Sequence, residues 1–121
     1  TGYATKIENS KVVNVLEDAS EKRLPIMIFV GNRGLIQIHT GEFHKTLWHQ
    51  QWFNVMDPDF NLHLDTTKIF ETWIVKKPTD DGEVTSVEVF NKEGDFIVQI
   101  FGKRKPGNPE LQAWKDLVAG L

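Results

Sequence analysis

The run IMIFVGNRGLIQIH, residues 26–39, decides the fold of this chain. Its two outer parts, 26–30 and 35–39, are rich in β-branched and other apolar residues, which is typical of β-strands. Between them lies Gly-Asn-Arg-Gly at 31–34, where the two glycines can adopt positive φ angles in a tight turn. The run therefore predicts a β-hairpin and an antiparallel sheet around it.

Outside this hairpin, further short apolar runs are separated by turn-forming residues. The turn signals are Asp and Pro at 57–59, Pro, Asp and Gly at 78–82, and Asn and Gly at 91–94. Such short connections favour antiparallel pairing of neighbouring strands. We predict a large antiparallel β-sheet meander, whose further strands occupy residues 51–55, 60–64, 69–77, 84–90 and 95–101.

Both ends of the chain carry the apolar spacing of an amphipathic helix. Near the N-terminus, Asn9 or Ser10 is a candidate cap for a helix over residues 10–22. Near the C-terminus, Asn108 is the candidate cap and Pro109 occupies the first turn. Because the helices flank the strands and do not alternate with them, the fold class is α+β. The two apolar stripes consist of Val12, Val13, Leu16 and Ala19, and of Leu111, Trp114, Leu117, Val118 and Leu121.

The composition is that of one globular domain spanning residues 1–121. Of these residues 40% are apolar, with four Trp and eight Phe in the chain, which is enough for one core. A net charge of -3 with 26% charged residues argues against a nucleic-acid partner or an anionic membrane. The absence of cysteine excludes disulfides and thiolate chemistry, and we expect a cytoplasmic location. No apolar run is long enough for membrane insertion.

The histidines and carboxylates form no recognisable catalytic or metal motif. His39, His44, His49 and His63 lack the spacing of a zinc site, and for His39 and His63, inside predicted strands, we prefer a hydrogen-bonded imidazole at a sheet surface. The aspartates lie in turns, where they bend and cap the chain, so no acid and base pair can be selected. No serine lies in a nucleophile elbow. We therefore assign no catalytic residue and no metal ligand.

Two predicted strands carry faces of the kind that bind ligands. On the last strand, Ile97, Gln99, Phe101 and Lys103 alternate onto one face. On the strand before Pro78, that face carries Trp73, Val75 and Lys77. If the faces coincide, they form an apolar and aromatic platform with Lys77 and Arg104 at its margin, suited to a planar apolar ligand that bears carboxylates. An ordinary half-exposed sheet surface has the same composition, and these residues alone leave both interpretations open.

Several short motifs, in this order, resemble a known family. The chain is similar over nearly its whole length to the second half of the HemS/ChuS/HmuS haem-utilisation proteins, also called hemin-degrading factors. The resemblance implies a longer protein of two similar domains, each a large antiparallel sheet with flanking helices, that binds one haem in a cleft between its halves. The motifs are FVGNRG at 29–34, QIHTG at 37–41, WFNV at 52–55, FNLHL at 60–64, KPT at 77–79 with DG at 81–82, VTS at 84–86 and FGKR at 101–104.

The resemblance also implies five haem-contacting residues in this chain. Lys77 and Arg104 would offset the charge of the propionates, and Gln99 would donate to a carboxylate. Phe29 and Phe101 would cover the apolar macrocycle. Relatives often have Tyr where this chain has Phe101, so any role of a phenol at that position is lost.

The axial histidine of the family matches no residue of this chain and belongs to a segment that would precede Thr1. The resemblance therefore implies that the iron ligand lies outside the chain, in an N-terminal half that completes the cleft. Besides haem and that half, the implied partners are a haem oxygenase or an inner-membrane haem transporter.

Three functions stay open at this point. The first is haem binding and intracellular haem transfer for iron utilisation, as part of a two-domain uptake protein. The second is oxidative haem degradation by the full-length protein, whereas the chain alone is expected not to be an enzyme. The third is a structural or dimerisation domain with no ligand of its own.

Overall fold

The structure is a computed structural model that describes residues 3–32, 35–43, 45–57, 60–80, 82–103 and 110–121. Within these residues it has nine strands, two α-helices and one short 3-10 helix, Thr66–Lys68. The predicted α+β class, a large antiparallel sheet with a helix towards each end, is confirmed. In chain order the elements are β1 (Tyr3–Ile7), α1 (Lys11–Glu21), β2 (Ile26–Asn32), β3 (Leu35–Gly41), β4 (Thr46–His49), β5 (Trp52–Asp57), β6 (Phe60–Asp65), β7 (Glu71–Thr79), β8 (Gly82–Phe90), β9 (Phe96–Gly102) and α2 (Gln112–Ala119).

The strands form two sheets. The larger sheet has six antiparallel strands in the order β1-β7-β8-β9-β2-β3, and the smaller has three in the order β4-β5-β6. The predicted hairpin of β2 and β3 is confirmed, with Phe29 opposite Ile38. β7, β8 and β9 follow one another as a meander, and β9 then pairs with β2, which joins distant parts of the chain into one sheet.

Strands β1 and β4 are additional to the strands that the apolar runs predict. β1 lies at the edge of the large sheet, where Tyr3 pairs with Lys76 and Ile7 pairs with Thr72. Its side chains are mostly exposed, so its sequence lacks the apolar alternation of a half-buried strand. β4 is likewise an edge strand with exposed side chains. Both are stabilised by backbone hydrogen bonds to a neighbour, which leave little trace in side-chain pattern.

The core lies on one face of the large sheet, which we call the covered face. α1 buries its apolar stripe in one cluster with the side chains of this face. α2 adds Trp114, Leu117 and Val118, whereas Leu111 is 37% exposed, and β5 and β6 of the small sheet also contribute side chains. Trp114 of α2 is fully buried, and its Nε1 donates to the Thr85 carbonyl at 2.9 Å. The fully buried members include Val12, Val15, Leu16, Ile26, Ile28, Phe53, Val55, Val87, Val89, Val98 and Ile100.

The helix starts agree only in part with those predicted. Ser10 occupies the N-cap position of α1, as one of the two predicted candidates, but its side chain makes no capping bond, and the Asn9 side chain points elsewhere. The Asn9 amide donates to the Phe70 carbonyl at 3.2 Å and its Oδ1 accepts from Thr72 Oγ1 at 3.1 Å. This side chain therefore ties α1 to the start of β7.

At the C-terminus, α2 begins at Gln112 with Leu111 at the N-cap position, later than the predicted start. Asn108 and Pro109 lie outside the described residues. Glu110, which precedes α2, is buried, and its Oε1 accepts a 2.6 Å bond from the Thr85 backbone N–H. This carboxylate therefore binds β8 to the segment that leads into α2.

Candidate functional site

The face of the large sheet opposite the core is the candidate site, and we call it the open face. Cross-strand register places two rows of side chains on it, each spanning five strands, a width of roughly 19 Å at the usual strand spacing. The first row is Trp73, Glu88, Gln99, Phe29 and Ile38, and the second is Val75, Ser86, Phe101, Met27 and Thr40.

Apolar and aromatic side chains dominate both rows. The rings of Phe29 and Phe101 lie edge to face, with centroids 5.6 Å apart and an interplanar angle of 75°. Ile38, at the sheet edge, is 62% exposed, and Trp73 is held by an Nε1 bond of 3.0 Å to Glu71 Oε2. Apolar area of this kind, open at a sheet surface, favours binding of a flat apolar partner.

One carboxylate, Glu88, lies near the middle of the first row. Ser86 Oγ donates to its Oε2 at 2.8 Å, and Gln99 Nε2 donates to its Oε1 at 3.5 Å. Part of the donor capacity of Gln99 is therefore directed at Glu88, although its second amide N–H can still serve a ligand. Neither Ser86 nor Glu88 was among the predicted site residues. The alternation of Val84, Ser86 and Glu88 with Thr85, Val87 and Val89 is the signal that could have found them.

Among the described residues outside the edge strand β1, the positive charges of the open face gather at one end. Lys77 follows Val75 on β7 and is exposed, opposite Val84 in register. Lys103 follows Phe101 just beyond β9, is also exposed, and is fixed by a backbone bond of 3.1 Å to the Pro25 carbonyl. These two lysines are separated from Glu88 by the second row, so the apolar surface has a cationic margin at that end.

A third lysine beside this margin belongs to the other side of the sheet. Lys76 alternates away from Lys77 and its Nζ lies 5.5 Å from the centre of the Tyr3 ring. The hydrogen bond with Tyr3 raises the pKa of Lys76 above its usual value. Lys76 therefore carries the same charge as its neighbour Lys77 but on the opposite side of the sheet. A Lys76 variant can serve as a control for substitutions of Lys77.

Four of the five predicted site residues thus share one surface. Phe29, Gln99 and Phe101 lie in the two rows, and Lys77 lies at the cationic end. Arg104 is outside the residues that the structure describes. The faces of the two strands, whose coincidence the sequence left open, therefore lie on the same side of the sheet.

None of the three histidines in the described ranges lies on the open face. His39 pairs with Ile28, whose side chain is on the covered face, and His49 and His63 belong to the small sheet. His44 falls outside these ranges. Within them, no three His, Cys, Asp or Glu side chains are grouped as metal ligands.

Comparisons with known proteins agree with this fold. Residues 1–121 match the family described as the haemin-degrading HemS.ChuX domain. The hemin transport protein HemS of Yersinia enterocolitica is 47% identical over 98% of the chain, and HmuS of Yersinia pestis is 43% identical over the same share. The chain spans 34% of the length of each of these relatives.

Solved structures show the same architecture. Apo-PhuS, a heme-binding protein of Pseudomonas aeruginosa, is 50% identical with a TM-score of 0.94, covering 98% of this chain and 35% of that one. ChuS, an Escherichia coli heme oxygenase, is 42% identical with a TM-score of 0.92, over 98% and 36% respectively. ChuX shares the fold at 18% identity and a TM-score of 0.77, over 97% and 73%. In the part of the chain that the structure describes, no helix has the length and apolarity needed to cross a membrane. The chain belongs to the HemS/ChuX family of haemin-degrading domains.

Proposed function

We propose that the open face is one wall of a haem-binding cleft, and that the full protein binds haem and transfers it inside the cell for iron utilisation. The observation that carries this proposal is the coincidence of Phe29, Gln99, Phe101 and Lys77 on one face of one sheet. The similarity to HemS and PhuS, a hemin transport protein and a heme-binding protein, supports the choice of ligand.

The open face fits the chemistry of haem in two respects. Its aromatic and aliphatic rows offer apolar area to the macrocycle, and burying apolar surface contributes about 25 cal/mol per Å². Its cationic end, with Lys77 and in our proposal Arg104, offers charge to the propionates. Glu88 disfavours a carboxylate over the centre of the face, so the propionates are expected to point towards Lys77.

The iron ligand is proposed to come from outside this chain. The open face has no histidine among the described residues, and the chain covers only 34% of the length of HemS. We propose that an N-terminal half of the same protein supplies the axial histidine and the second wall of the cleft, with residues 1–121 as its C-terminal partner. We also propose a cytoplasmic location, and a haem oxygenase or a haem transporter of the inner membrane as exchange partners.

A second candidate is oxidative haem degradation by the full-length protein. The similarity to ChuS, described as a heme oxygenase, favours it. Haem itself would be the substrate, and the open face would hold it while an external donor supplied electrons. Formation of a stoichiometric tetrapyrrole product with a physiological reductant, with catalase present to remove free peroxide, separates degradation from transfer.

Titration of haem into this chain, and into a version extended through the preceding domain, tests the proposal. The Soret absorbance reports binding to both proteins and to their Phe29→Ala and Lys77→Ala variants. Lys76→Ala is the matched control, because it removes the same charge from the adjacent residue on the other side of the sheet.

We expect saturable one-to-one binding at the open face of the extended protein, weakened by Phe29→Ala and Lys77→Ala and unchanged by Lys76→Ala. Unchanged affinity in both open-face variants would instead support a structural or dimerisation role for this domain. Equal affinity of the short chain for the same face would show that no second wall is needed.

A further inference from the structure

Glu88 is the one carboxylate in the two rows of the open face, and it has no cation beside it. Its two oxygens accept from neutral groups, Ser86 Oγ at 2.8 Å and Gln99 Nε2 at 3.5 Å. Within the described part of the chain, no Lys, Arg or His side chain lies within ion-pair distance of it. Hydrogen bonds from neutral donors fix the position of a carboxylate but do not cancel its charge, so a ligand on these rows meets that charge directly.

A second carboxylate on this side of the sheet, Glu71, differs because it is paired with a cation. It lies two residues before Trp73 on β7, and its Oε2 accepts from Trp73 Nε1 at 3.0 Å. Lys6 Nζ, on the edge strand β1, lies 3.7 Å from Glu71 Oε1. Opposite charges at this separation cancel much of each other's field at a more distant ligand. Glu88 is therefore the carboxylate that a ligand on the two rows would sense most strongly.

The charge of the open face changes sign along β8. Val84 marks the cationic end, because it pairs with Lys77. Glu88 lies four residues further along the same strand, about 13 Å away at the usual rise per residue, with Ser86 between them. A planar ligand that spans this distance meets cations first, then the second row, and then a carboxylate. This order favours anionic groups along one edge of the ligand and disfavours them along the opposite edge.

Haem has this distribution of charge. Its two propionates are on adjacent pyrrole rings, and the other two rings carry uncharged vinyl groups. Coprohaem is the iron porphyrin that has propionates in place of both vinyl groups, so that all four pyrrole rings carry a carboxylate. With two propionates at the cationic end, haem would direct its vinyl edge towards Glu88, whereas coprohaem would direct like charge there. Like charges brought together at an interface weaken binding.

We propose that Glu88 is a specificity-determining residue of the open face. It selects iron porphyrins whose carboxylates lie along one edge, and it rejects those with a carboxylate on every pyrrole ring. The inference rests on the proposed function, since it takes the open face as the haem-binding wall. Ser86, which is buried, and Gln99 are positioning residues, because their bonds prevent the Glu88 carboxylate from turning away from a like charge.

The test compares three iron porphyrins as ligands of the full protein, which contains the preceding domain. They are haem, coprohaem and mesohaem, in which ethyl groups replace the vinyl groups and no charge is added. Titrations followed by Soret absorbance give a Kd for each ligand with the parent, Glu88→Gln and Glu83→Gln proteins. Glu83 is the matched control, because it is an exposed carboxylate of the same strand on the opposite face of the sheet. Circular dichroism confirms that each variant is folded.

We expect the parent protein to bind coprohaem at least about tenfold more weakly than haem. Glu88→Gln should reduce the ratio of the two Kd values by at least about fivefold, because glutamine keeps the shape and removes the charge. Glu83→Gln should leave this ratio unchanged, and neither variant should change the ratio of the Kd values for mesohaem and haem.

Equal affinity of the parent protein for haem and coprohaem overturns the proposed selectivity, as does a Kd ratio that Glu88→Gln leaves unchanged. In both cases haem binding at the open face still stands. Failure of the proposed function has a different signature, namely haem affinity that neither Phe29→Ala nor Lys77→Ala weakens, and it overturns the selectivity as well.

Discussion

The two faces of the large sheet differ sharply although they are made by the same strands. On β9, Val98 and Ile100 are fully buried on the covered face, while Gln99 and Phe101, one residue away, are partly exposed on the open face. The covered face is packed by α1, α2 and the small sheet, and the open face keeps its apolar rows accessible. Strand alternation therefore lets adjacent residues serve different purposes, one stability and the other, in our proposal, recognition of haem.

The largest effect expected from breaking the covered face is that of Trp114→Ala. Trp114 is fully buried and hydrogen-bonded to the Thr85 carbonyl, so its loss should lower the free energy of unfolding by about 3–5 kcal/mol. Denaturant titration measures this change. Trp48→Ala is the control, since Trp48 is 47% exposed, and it should cost clearly less. Equal losses would contradict the assignment of the core to this face.

A sharper comparison uses neighbours on one strand. Ile100→Ala should cost about 2–5 kcal/mol of unfolding free energy, because it leaves a cavity in the core. Phe101→Ala removes a partly exposed ring and should cost about 1–2 kcal/mol, while it weakens haem binding at the open face. Parallel unfolding and haem titrations measure both quantities. An equal loss of haem affinity in Ile100→Ala, measured in protein that is still folded, would contradict the proposal that only the open face binds haem.

Close packing of the covered face can also be tested by adding an atom. A Cβ built on Gly102 would approach Trp114 side-chain atoms to between 2.7 and 2.9 Å. Gly102→Ala should therefore destabilise the domain by about 1–3 kcal/mol through overpacking. Gly120→Ala serves as the control, because its nearest neighbours would be at 3.6 Å and its φ is negative. Thermal unfolding of both variants measures the difference in stability. Equal unfolding midpoints would contradict the close packing of Gly102 against Trp114.

The smallest expected effect concerns the charge on the open face. Glu88→Gln keeps a partner for Ser86 and removes a negative charge near the proposed haem, so haem affinity should rise up to about fivefold, less at high salt. Glu83→Gln, on the same strand and the opposite face, should leave the affinity unchanged. Haem titrations at two ionic strengths measure this. Weaker binding after Glu88→Gln would show that the carboxylate takes part in recognition.

Much of the fold was predictable because its signals are local. The glycines between residues 26–30 and 35–39, and the apolar stripes of both helices, predict the hairpin, the helices and the α+β class. The membership of Phe29, Gln99 and Phe101 in one surface follows partly from alternation along each strand. That the strands carrying them are neighbours depends on the pairing of β9 with β2, between residues far apart in the chain.

The features that were not predicted leave little trace in the local apolar pattern of the sequence. β1 and β4 are edge strands defined by backbone hydrogen bonds, and the amide of Asn9 contacts the start of β7 where a helix cap was predicted. Glu110 binds the backbone of Thr85, 25 residues away in sequence. For β1, Asn9 and Glu110 the partner is distant along the chain, and sequence periodicity carries no information about it. β4 pairs with the adjacent β5, but its exposed side chains give no apolar alternation.

The sequence by itself determined the antiparallel strands, the two amphipathic helices, the family resemblance and the alternation that separates core residues from candidate haem contacts. Only the tertiary structure decided that the strands divide into two sheets, that Glu88 lies among the aromatic rows, and that His63 is hydrogen-bonded to Asn54. The reason is physical. Periodicity records which side of a strand or helix is buried, whereas hydrogen bonds and clefts form between segments that only folding brings together.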